Sequence, residues 1–494
     1  MTGAVREQAE SFTSLDPRTA EVVGEYPVHS ALQVRAAVER AREAQQWWGE
    51  LGFAERKKRL DVWRHLLLKR LDELAGVICA ETGKPLDDAR LELVLVVDHL
   101  QWAAKNAEKV LKRRKVSAGL LMSNQAATVE YLPLGVIGVI GPWNYPAHTP
   151  MGSISYALAA GNAVVFKPSE LTPGVGAWLV DTFAEVVPEW PVFSLVTGFG
   201  ATGAALCKAG VDKLAFTGST ATGKRVMAAC AETLTPVLVE CGGKDALIVD
   251  ADADLEAAAQ AAVWGAMANA GQTCVGVERV YVVDSVAQEF TERVTRIAGR
   301  LKPGAESTAD LGPITMPGQV PIIQSHIEDA LSKGAMAVVG GKESVRAPYV
   351  EPVVLLDVPE DSLAITEETF GPTLTINRVA DVDEAVRLAN AVRYGLGGTV
   401  FSRSRGMELA RRLRAGMVSV NSVVSFAAVP ALPFGGIGDS GFGRIHGADG
   451  LREFARTQAV TRQKFKAPLQ PMSFARGSRT VRRLLRILRL VHRR

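Results

Sequence analysis

Two reactive side chains, the carboxylate of Glu240 and the thiol of Cys274, lie close together in the sequence. Glu240 stands in Leu-Val-Glu-Cys-Gly-Gly-Lys, at the end of an apolar run and just before a glycine turn. Cys274 follows an alanine-rich, helix-like segment and stands in Gly-Gln-Thr-Cys-Val-Gly-Val. A thiol can attack an acyl carbon, and a carboxylate can activate the water that releases the acyl group. The pair therefore predicts covalent acyl-transfer chemistry.

A third polar residue, Asn144, follows another apolar run in the sequence Gly-Pro-Trp-Asn-Tyr-Pro. The flanking prolines fix the backbone, so the amide can project from a strand end and donate to a developing oxyanion. Taken singly, Asn144 is typical of a turn former, Glu240 of a capping acid and Cys274 of a buried apolar residue. The presence of all three favours the catalytic interpretation.

A motif that suits a nucleotide follows the next apolar run, residues 163–166. Lys167 and Glu170, in Lys-Pro-Ser-Glu, come at the edge where open α/β sheets bind their ligands. The two side chains can bracket a ribose, and the carboxylate would repel a 2′-phosphate, which favours NAD over NADP. The alternative interpretation is an ordinary turn between a strand and a helix.

Two glycine-rich turns compete as the pyrophosphate site. Residues 198–203, which include Gly200, match G-x-G-x-x-G, but no acid follows about twenty residues later as that fingerprint requires. Residues 216–223, which include Gly218 and Ser219, would place hydroxyls and backbone N–H groups at a positive helix end. We assign phosphate binding to the second turn and close backbone packing to the first.

Hydrophobic periodicity predicts the elements that position these side chains. Packing helices are expected over 28–48, 56–81 and 86–110, and an exposed strand over 126–132. From residue 135 onward, short apolar runs alternate with helix-like stretches, the pattern of a parallel, doubly wound sheet. The predicted strands are 136–140, 163–166, 192–196, 214–217 and 237–239. A second α/β domain is predicted from strands 246–249 and 280–283 and helices 255–270 and 286–300.

Composition narrows the class of protein. A chain of 494 residues, 47% hydrophobic and 22% charged, is typical of a globular enzyme with several domains. Five scattered cysteines without a C-x-x-C pair suit a reducing compartment, and the dispersed histidines predict no metal site. We expect a cytoplasmic protein, because no signal peptide or membrane-spanning run is present in the sequence. The body of the chain has no stripe of Lys and Arg with interleaved aromatic residues, so we expect no binding to nucleic acid.

The end of the chain differs from the body. Residues 476–494 carry eight arginines and no acid. Periodicity predicts a helix whose apolar residues share one face, largely opposite the arginines. These apolar residues are Val481, Leu484, Leu485, Leu488 and Val491. The segment 467–494 is therefore predicted to be a basic amphipathic extension that either contacts an anionic membrane surface or packs on this or a neighbouring subunit.

Seven motifs in one order make the chain resemble the NAD(P)-dependent aldehyde dehydrogenases from about Ser11 to Lys466. The motifs are P-W-N-Y-P, K-P-S-E, F-T-G-S-T, V-E-C-G-G-K, G-Q-T-C, E-E-T-F-G-P and L-P-F-G-G. The resemblance implies that Cys274 forms a thiohemiacetal with an aldehyde, while Asn144 and the Cys274 backbone N–H hold the oxyanion. It also implies hydride transfer to NAD and hydrolysis of the resulting thioester by water that Glu240 activates.

The same resemblance implies contacts with the cofactor. Lys167 and Glu170 match the family's contacts to the adenine ribose, and Ser219 matches its phosphate contact. Glu368 and Phe370 match its contacts around the nicotinamide ribose and ring. The predicted cofactor site is completed by Trp143, Gly200 and Gly218.

The implied fold is α/β, with a Rossmann-like cofactor domain, a second α/β catalytic domain and a small β oligomerisation arm. We expect the NAD-binding domain at 1–111 and 133–240 and the catalytic domain at 241–437. The arm is expected at 112–132 and 452–466. By the same resemblance the protein is expected to form a homodimer or homotetramer.

The substrate prediction depends on Gly152, which stands where many members of the family carry a bulky aromatic residue. A roomy entrance, with Tyr145, Val275 and Phe426 nearby, favours an apolar or aromatic aldehyde as the substrate.

The sequence leaves alternatives open for the cofactor and for the function. NADP is the alternative cofactor. One alternative function is a CoA-acylating enzyme, against which Glu240 argues. A non-catalytic structural protein on the same fold is another. A thiol hydrolase is a third, disfavoured because no motif places a histidine near Cys274.

Overall fold

A computed structural model of the protein describes residues 10–306, 308–467, 470 and 472–492. An antiparallel hairpin and four helices come first: β1 (Ser11–Leu15), β2 (Val22–Pro27), α1 (Ala31–Glu50), α2 (Gly52–Lys69), α3 (Leu71–Thr82) and α4 (Leu86–Leu111). The predicted helix 56–81 is interrupted at Arg70, where φ −109° and ψ 24° leave the helical region. The apolar positions Leu67 and Leu74 are buried on both sides of this break, which periodicity alone could not reveal.

The first large sheet follows two strands that lie in the predicted arm, residues 112–132. Its elements and the arm strands before them are β3 (Arg114–Val116), β4 (Gln125–Pro133), β5 (Val136–Ile140), α5 (His148–Ala160), β6 (Ala163–Lys167), α6 (Pro173–Val186), β7 (Phe193–Leu195), α7 (Gly200–Lys208), β8 (Lys213–Thr217), α8 (Thr220–Ala231) and β9 (Val237–Glu240). Strands β9, β8, β5, β6 and β7 lie side by side in that order, all parallel. The order reverses at β5, which creates a crevice between the carboxyl ends of β5 and β8.

The second large sheet is built from the next part of the chain. The elements of this part are β10 (Asp245–Val249), α9 (Leu255–Met267), β11 (Val277–Val283), α10 (Asp284–Ala298), α11 (Val320–Ser332), β12 (Met336–Val339), β13 (Val345–Arg346), β14 (Tyr349–Val350), β15 (Val353–Leu356), α12 (Leu363–Thr366), β16 (Thr373–Val379), α13 (Val382–Ala389), β17 (Gly397–Phe401), α14 (Gly406–Arg412), β18 (Met417–Val420) and α15 (Ser425–Ala428). Seven of these strands form the sheet, in the order β12-β15-β16-β11-β10-β17-β18, and only β12 is antiparallel. Strands β13 and β14 pair with each other in a separate two-stranded sheet. The predicted α/β fold class, with two mainly parallel sheets, is confirmed.

The chain then returns to the first sheet. The remaining elements are β19 (Gly441–Phe442), α16 (Gly447–Glu453), β20 (Ala455–Gln463) and α17 (Ser478–Val491). β19 pairs antiparallel with β9, and Gly441 lies opposite Glu240. β20 pairs along the whole length of β4, and β3 covers the other edge of β4. The start of the predicted arm, residues 112–132, thus contributes a short strand to this three-stranded sheet.

The last helix, α17, stands apart from the body of the protein. None of its residues is buried, and Leu485, Leu490 and Val491 are among its exposed apolar side chains. In the part of the chain that the model describes, no helix has the length and apolar character needed to span a membrane.

Candidate active site

The structure brings Glu240 and Cys274 together from two different sheets. Glu240 is the last residue of β9, and Cys274 lies in the loop between α9 and β11. The Cys274 Sγ donates to Oε1 of Glu240 at 3.8 Å, and the Thr217 hydroxyl lies 3.4 Å from Oε2. Thr217 ends the neighbouring strand β8, so the carboxylate is held between the thiol and a second strand end.

Burial raises the pKa of both groups. Loss of solvent raises the pKa of Glu240 to about 7, although the hydrogen bonds from Thr217 and Cys274 act in the opposite direction. Burial, and then the nearby Glu240 carboxylate, raise the pKa of Cys274 well above its usual value. The thiol therefore carries its proton at neutral pH and needs a base before it can attack. Glu240 is the carboxylate within reach of that proton.

Gly242 and Gly243, which follow Glu240 and Cys241, leave room for other residues to pack closely against this part of the backbone. A β-carbon at Gly242 would lie 2.1 Å from a Glu368 carboxylate oxygen, and one at Gly243 would lie 2.6 Å from the Cys274 carbonyl oxygen. The Gly243 N–H donates to Oε1 of Glu368 at 3.0 Å. The V-E-C-G-G-K motif thus packs against two other predicted motifs through backbone that lacks side chains.

Asn144 is fixed against the loop that carries the thiol. Its Nδ2 donates to the carbonyl oxygen of Gln272 at 3.0 Å. Its own carbonyl oxygen accepts from Lys84 Nζ at 2.8 Å and from Asn269 Nδ2 at 3.0 Å. Asn269 has a φ of 54°, a left-handed conformation that a non-glycine residue keeps only where its surroundings enforce it. Asn144 and Cys274 were predicted to act together, and the loops that carry them are in direct contact through the hydrogen bond from Asn144 to Gln272.

Sequence reasoning missed the buried ion pair beneath this loop. Lys84 Nζ lies 2.8 Å from Glu92 Oε2, and both side chains are buried. The other Glu92 oxygen accepts the backbone N–H groups of Ala147 and His148 at 2.8 and 3.0 Å. The available signal was a glutamate on the otherwise apolar face of α4, because Ala89 and the other residues of that face are buried. The pair positions the Asn144 loop.

A cleft of about 930 Å³ opens at the carboxyl ends of the first sheet's strands. Cys274 and Asn144 line it together with all of the predicted cofactor residues. These residues are Trp143, Lys167, Glu170, Gly200, Gly218, Ser219, Glu368 and Phe370. Residues from six separate sequence motifs are thus brought to one surface, of which Cys274 forms a part.

The cleft offers groups that suit a dinucleotide at several points. Ser219 caps α8, and its hydroxyl accepts the Thr222 N–H at 3.3 Å beside the positive helix end. Lys167 Nζ lies 3.8 Å from Oε2 of Glu170 and donates to the Pro168 carbonyl oxygen at 2.9 Å. Burial lowers the pKa of Lys167, and Glu170 opposes that change. A ribose, with its donating and accepting hydroxyls, matches this lysine and carboxylate pair.

Glu278, which the sequence analysis did not single out, holds the inner end of the cleft. Its carboxylate forms a buried ion pair with Lys244 and accepts the N–H groups of Thr369 and Phe370. Phe370 has a φ of 53°, and its ring lies 5.6 Å from the ring of Trp143. A charged residue in the buried strand β11 was the signal. Burial, and then Glu278, raise the pKa of Glu368 to about 8.

A second, smaller cavity of about 140 Å³ reaches Cys274 and Glu240 from another side. Its walls are mostly apolar and include Leu91, Leu95, Trp264, Val275, Val424, Phe434 and Ile445. Of the side chains predicted to lie near the substrate, Tyr145 and Val275 line this cavity, and Phe426 does not. The Phe426 ring packs against Phe434 instead, with ring centroids 6.4 Å apart.

The expected extra room at Gly152 is not present. A β-carbon there would lie 2.8 Å from Nε2 of His446 and 2.8 Å from Cδ1 of Ile445. The space that an aromatic side chain would take is filled by the His446 imidazole. The prediction of a roomy entrance at Gly152 is therefore wrong, because a residue from the distant segment before α16 packs against it.

Fold and site together define a class of protein. A doubly wound sheet with a nucleotide-sized cleft, which ends at a thiol paired with a carboxylate, is typical of nucleotide-dependent oxidoreductases that use a cysteine. The model of the aldehyde dehydrogenase family matches residues 4–460. The chain belongs to the aldehyde dehydrogenase family.

Individual relatives agree with this assignment. A protein named as a 4,4′-diapolycopene aldehyde oxidase from Methylomonas sp is 38% identical over 468 residues, covering 94% of this chain and 88% of the relative. A protein from Mycobacterium ulcerans that is named as an NADP-dependent succinate-semialdehyde dehydrogenase is 37% identical over 441 residues, which cover 88% of this chain and 85% of the relative. The structure of an NAD-dependent aldehyde dehydrogenase from Sinorhizobium meliloti has a TM-score of 0.88 at 33% identity, covering 93% of each chain. The predicted family, the three-part fold and the NAD(P)-dependent oxidation of aldehydes are thereby confirmed.

Proposed function

We propose that the enzyme uses NAD to oxidise a neutral apolar or aromatic aldehyde to its carboxylic acid. The observation that carries this proposal is the position of Cys274, which lines both the larger cleft and the smaller apolar cavity. Its sulfur lies 3.8 Å from a Glu240 carboxylate oxygen. A substrate carbonyl in the cavity and a cofactor in the cleft would thus meet at one sulfur atom.

The reaction begins when Glu240 or water takes the thiol proton and Cys274 attacks the aldehyde carbon, forming a thiohemiacetal. The Asn144 amide, which uses one N–H on Gln272, has its second N–H for the oxyanion, and the Cys274 backbone N–H is the other donor. NAD, when bound, accepts the hydride that leaves this carbon. The proton taken from the thiol passes to solvent, which leaves Glu240 ionised again. Water then attacks the remaining thioester and gives its proton to Glu240, and the departing thiolate recovers that proton as the acid is released.

The residues proposed to hold NAD are those that line the larger cleft. Lys167 and Glu170 would bind the adenine ribose, and Ser219 and Gly218 would bind phosphate at the start of α8. Glu368, Phe370 and Trp143 would surround the nicotinamide end, and Gly200 would allow close approach of the backbone. Glu170 supports NAD over NADP, because a 2′-phosphate would lie against its carboxylate.

The charge of the smaller cavity supports a neutral substrate. Among the described residues, its lining includes the acidic residues Asp88, Glu92 and Glu240 and no lysine or arginine. Glu92 is paired with Lys84, so Asp88 and Glu240 are the acids that would repel a carboxylate. Succinate semialdehyde, for which the mycobacterial relative is named, carries a carboxylate that would be repelled there. The Methylomonas relative is named for the aldehyde of a hydrocarbon, which the apolar walls would accept. We therefore place the substrate in the neutral, apolar class.

Formation of NADH from a panel of aldehydes tests the function. We expect kcat/KM for benzaldehyde to exceed that for succinate semialdehyde by roughly 10²-fold, the cost of placing an unpaired charge in such a cavity. We also expect NAD to be preferred over NADP and CoA to be unnecessary. A strict requirement for CoA would select the acylating alternative, and no NADH with any aldehyde would select the non-catalytic one.

The three-stranded arm supports a proposed homodimer or homotetramer, since members of the family are commonly oligomeric. β20 is a nine-residue edge strand whose side chains are mostly exposed. Such an edge is a ready site for pairing with another chain. Sedimentation would show a dimer or tetramer, and a monomer would contradict the proposal.

We propose further that the enzyme is cytoplasmic and that α17 lies on an anionic membrane surface. The helix carries five arginines and no acid, and its apolar residues are exposed. Met472 and Phe474 just before it are also fully or largely exposed, at 88% and 105%. Arginines near an anionic surface contribute about 1 kcal/mol each, and buried apolar side chains add to this.

Flotation with vesicles tests the membrane contact. The full chain should float with vesicles that contain phosphatidylserine and stay behind with purely zwitterionic ones, because its arginines need the anionic charge. A chain that ends at residue 476 should not float with either. A Leu485→Asn and Leu488→Asn variant, which keeps every arginine, should bind more weakly than wild type. Equal flotation of the full and truncated chains would disprove the contact.

A further inference from the structure

Three histidines from distant parts of the chain meet beside the smaller cavity. His99 comes from α4, His148 begins α5 and His446 precedes α16. The ring centroid of His99 lies 3.9 Å from that of His446 and 5.4 Å from that of His148. His148 and His446 line the cavity that Cys274 also lines. Among the described residues no group of His, Cys, Asp and Glu is arranged to hold a metal ion, so the cluster has another use.

Most of the ring nitrogens in this cluster have no hydrogen-bond partner. Both nitrogens of His446, and Nδ1 of His99 and of His148, are buried without one. Only His99 is held through its ring, since its Nε2 lies 3.0 Å from the carbonyl oxygen of Ala427. Buried polar atoms without partners destabilise a fold, so each of them calls for an explanation, and a role in binding is one. His446 is 1% exposed, so the surrounding solvent does not satisfy it.

The local packing holds His446 in this position. Its φ of 63° is left-handed, which is uncommon for a residue other than glycine. The ring packs 5.5 Å from that of Phe434 and 5.7 Å from that of Tyr156, measured between centroids. Only a glycine at position 152 leaves room for its Nε2. A strained backbone and a missing side chain thus both serve to bring an imidazole to the cavity.

The imidazoles are neutral in this environment. Burial, followed by the charges of His99 and Lys84, lowers the pKa of His148 to about 3. Burial, followed by the charges of His99 and His148, also lowers the pKa of His446 well below its ordinary value. A neutral imidazole offers one N–H donor and one acceptor nitrogen. Such a pair suits a hydroxyl or carbonyl oxygen, whereas a carboxylate would also meet the acidic groups of the cavity.

We propose that His148 and His446 form a subsite for a neutral oxygen that the aldehyde carries away from its reacting carbon. This inference rests on the proposed function and defines its substrate class as oxygenated aromatic or similarly sized aldehydes. The cavity, about 140 Å³, is close to the roughly 150 Å³ of an apolar cavity that admits benzene. Among the described residues, neither imidazole forms a hydrogen bond with Cys274 or Glu240. The Cys274 thiol donates its hydrogen bond to Glu240. His99, anchored on Ala427, positions the other two rings.

Two aldehydes of equal size test the subsite. 4-(Hydroxymethyl)benzaldehyde and 4-ethylbenzaldehyde differ only by a hydroxyl in place of a methyl group, and the hydroxyl is insulated from the reacting carbonyl. We expect kcat/KM for the hydroxymethyl compound to be about tenfold higher in the wild type, the contribution of one or two hydrogen bonds. The ratio of the two values does not depend on how much of the enzyme is folded.

Three variants assign the preference to the cluster. His148→Phe keeps a ring but removes its nitrogens, and Gly152→Ala places a β-carbon against His446. Loss of the tenfold ratio in either variant supports the subsite. His65→Phe, at an exposed histidine, is the matched control and should keep the wild-type ratio. A ratio near one in the wild type, or retention of the tenfold ratio in both His148→Phe and Gly152→Ala, would overturn the proposal.

Binding to Cys274→Ala enzyme separates the subsite from the reaction. Calorimetry with the same two aldehydes measures affinity without turnover, and we expect the hydroxymethyl compound to bind about tenfold more tightly. Equal affinities would refute the subsite whatever the kinetics show. If neither aldehyde yields NADH but the affinity ratio persists, the subsite stands and the proposed oxidation is wrong.

Discussion

Replacement of Cys274 by alanine should abolish NADH formation, with a loss in kcat of roughly 10⁴-fold or more. Cys274 lines both the larger cleft and the smaller cavity, and its sulfur donates to the Glu240 carboxylate. Without it no covalent adduct forms, and the aldehyde carbon has no route to the thioester oxidation level. The measurement is steady-state NADH formation with an aldehyde that the wild type oxidises.

Two controls make the Cys274 result specific. Cys79→Ala removes a thiol far along the chain from the site and should keep activity within about twofold, since small changes at half-buried positions are usually mild. The melting temperature of the Cys274→Ala enzyme should stay within a few degrees of wild type, showing that the fold survives. Retention of a tenth of the wild-type rate by folded Cys274→Ala enzyme would remove Cys274 from its proposed role.

Replacement of Glu240 by glutamine should give a burst of about one NADH per active site, followed by turnover about 10²-fold slower than wild type. The burst is expected because water can take the thiol proton when Glu240 is replaced, so thiol attack and oxidation still precede the step at which the attacking water needs a base. Deacylation should slow because the amide cannot accept the proton of water. Rapid-mixing measurement of NADH resolves the two phases, and wild-type turnover without a burst would contradict the assignment of the base.

The pH profile gives the same assignment independently. Burial raises the pKa of Glu240 to about 7, so the carboxylate needed as base is present above that pH and lost as the pH falls through it. Wild-type deacylation should therefore decline below about pH 7, and the Glu240→Gln enzyme should not show this decline. Thr217→Val removes a hydrogen bond that lowers the pKa of Glu240, so its profile should move to higher pH. An unchanged decline in Glu240→Gln would assign it to another group.

Much of the fold and site followed from local patterns. The strands 136–140 and 163–166 were predicted to within about one residue, because buried parallel strands are short continuous apolar runs with turn signals at both ends. Glu240 and Cys274 were identified because their neighbours, glycines and polar residues, are unusual around an inert acid or thiol. The break at Arg70 was missed, since the apolar spacing continues through it.

Contacts between distant segments could not be predicted in this way. The pairing of β19 with β9, which places Gly441 against Glu240, joins residues 201 positions apart, and no local pattern encodes it. The interpretation of Gly152 failed for the same reason, because His446 fills the space beside it. No motif places a histidine near Cys274, and it is the folding of the chain that brings His148 and His446 to the cavity that Cys274 also lines.

The sequence by itself determined the family and the two parallel sheets, and it singled out Cys274, Glu240 and Asn144 as the candidate thiol, base and amide. These depend on local propensity and on motifs whose residues are close together in the chain. Only the tertiary structure decided which motif contacts which and how burial raises the pKa of Glu240. It also decided that three histidines from distant parts of the chain meet beside the smaller cavity. Distance, burial and charge are properties of the packed chain, because each depends on side chains that folding brings together from far apart in sequence.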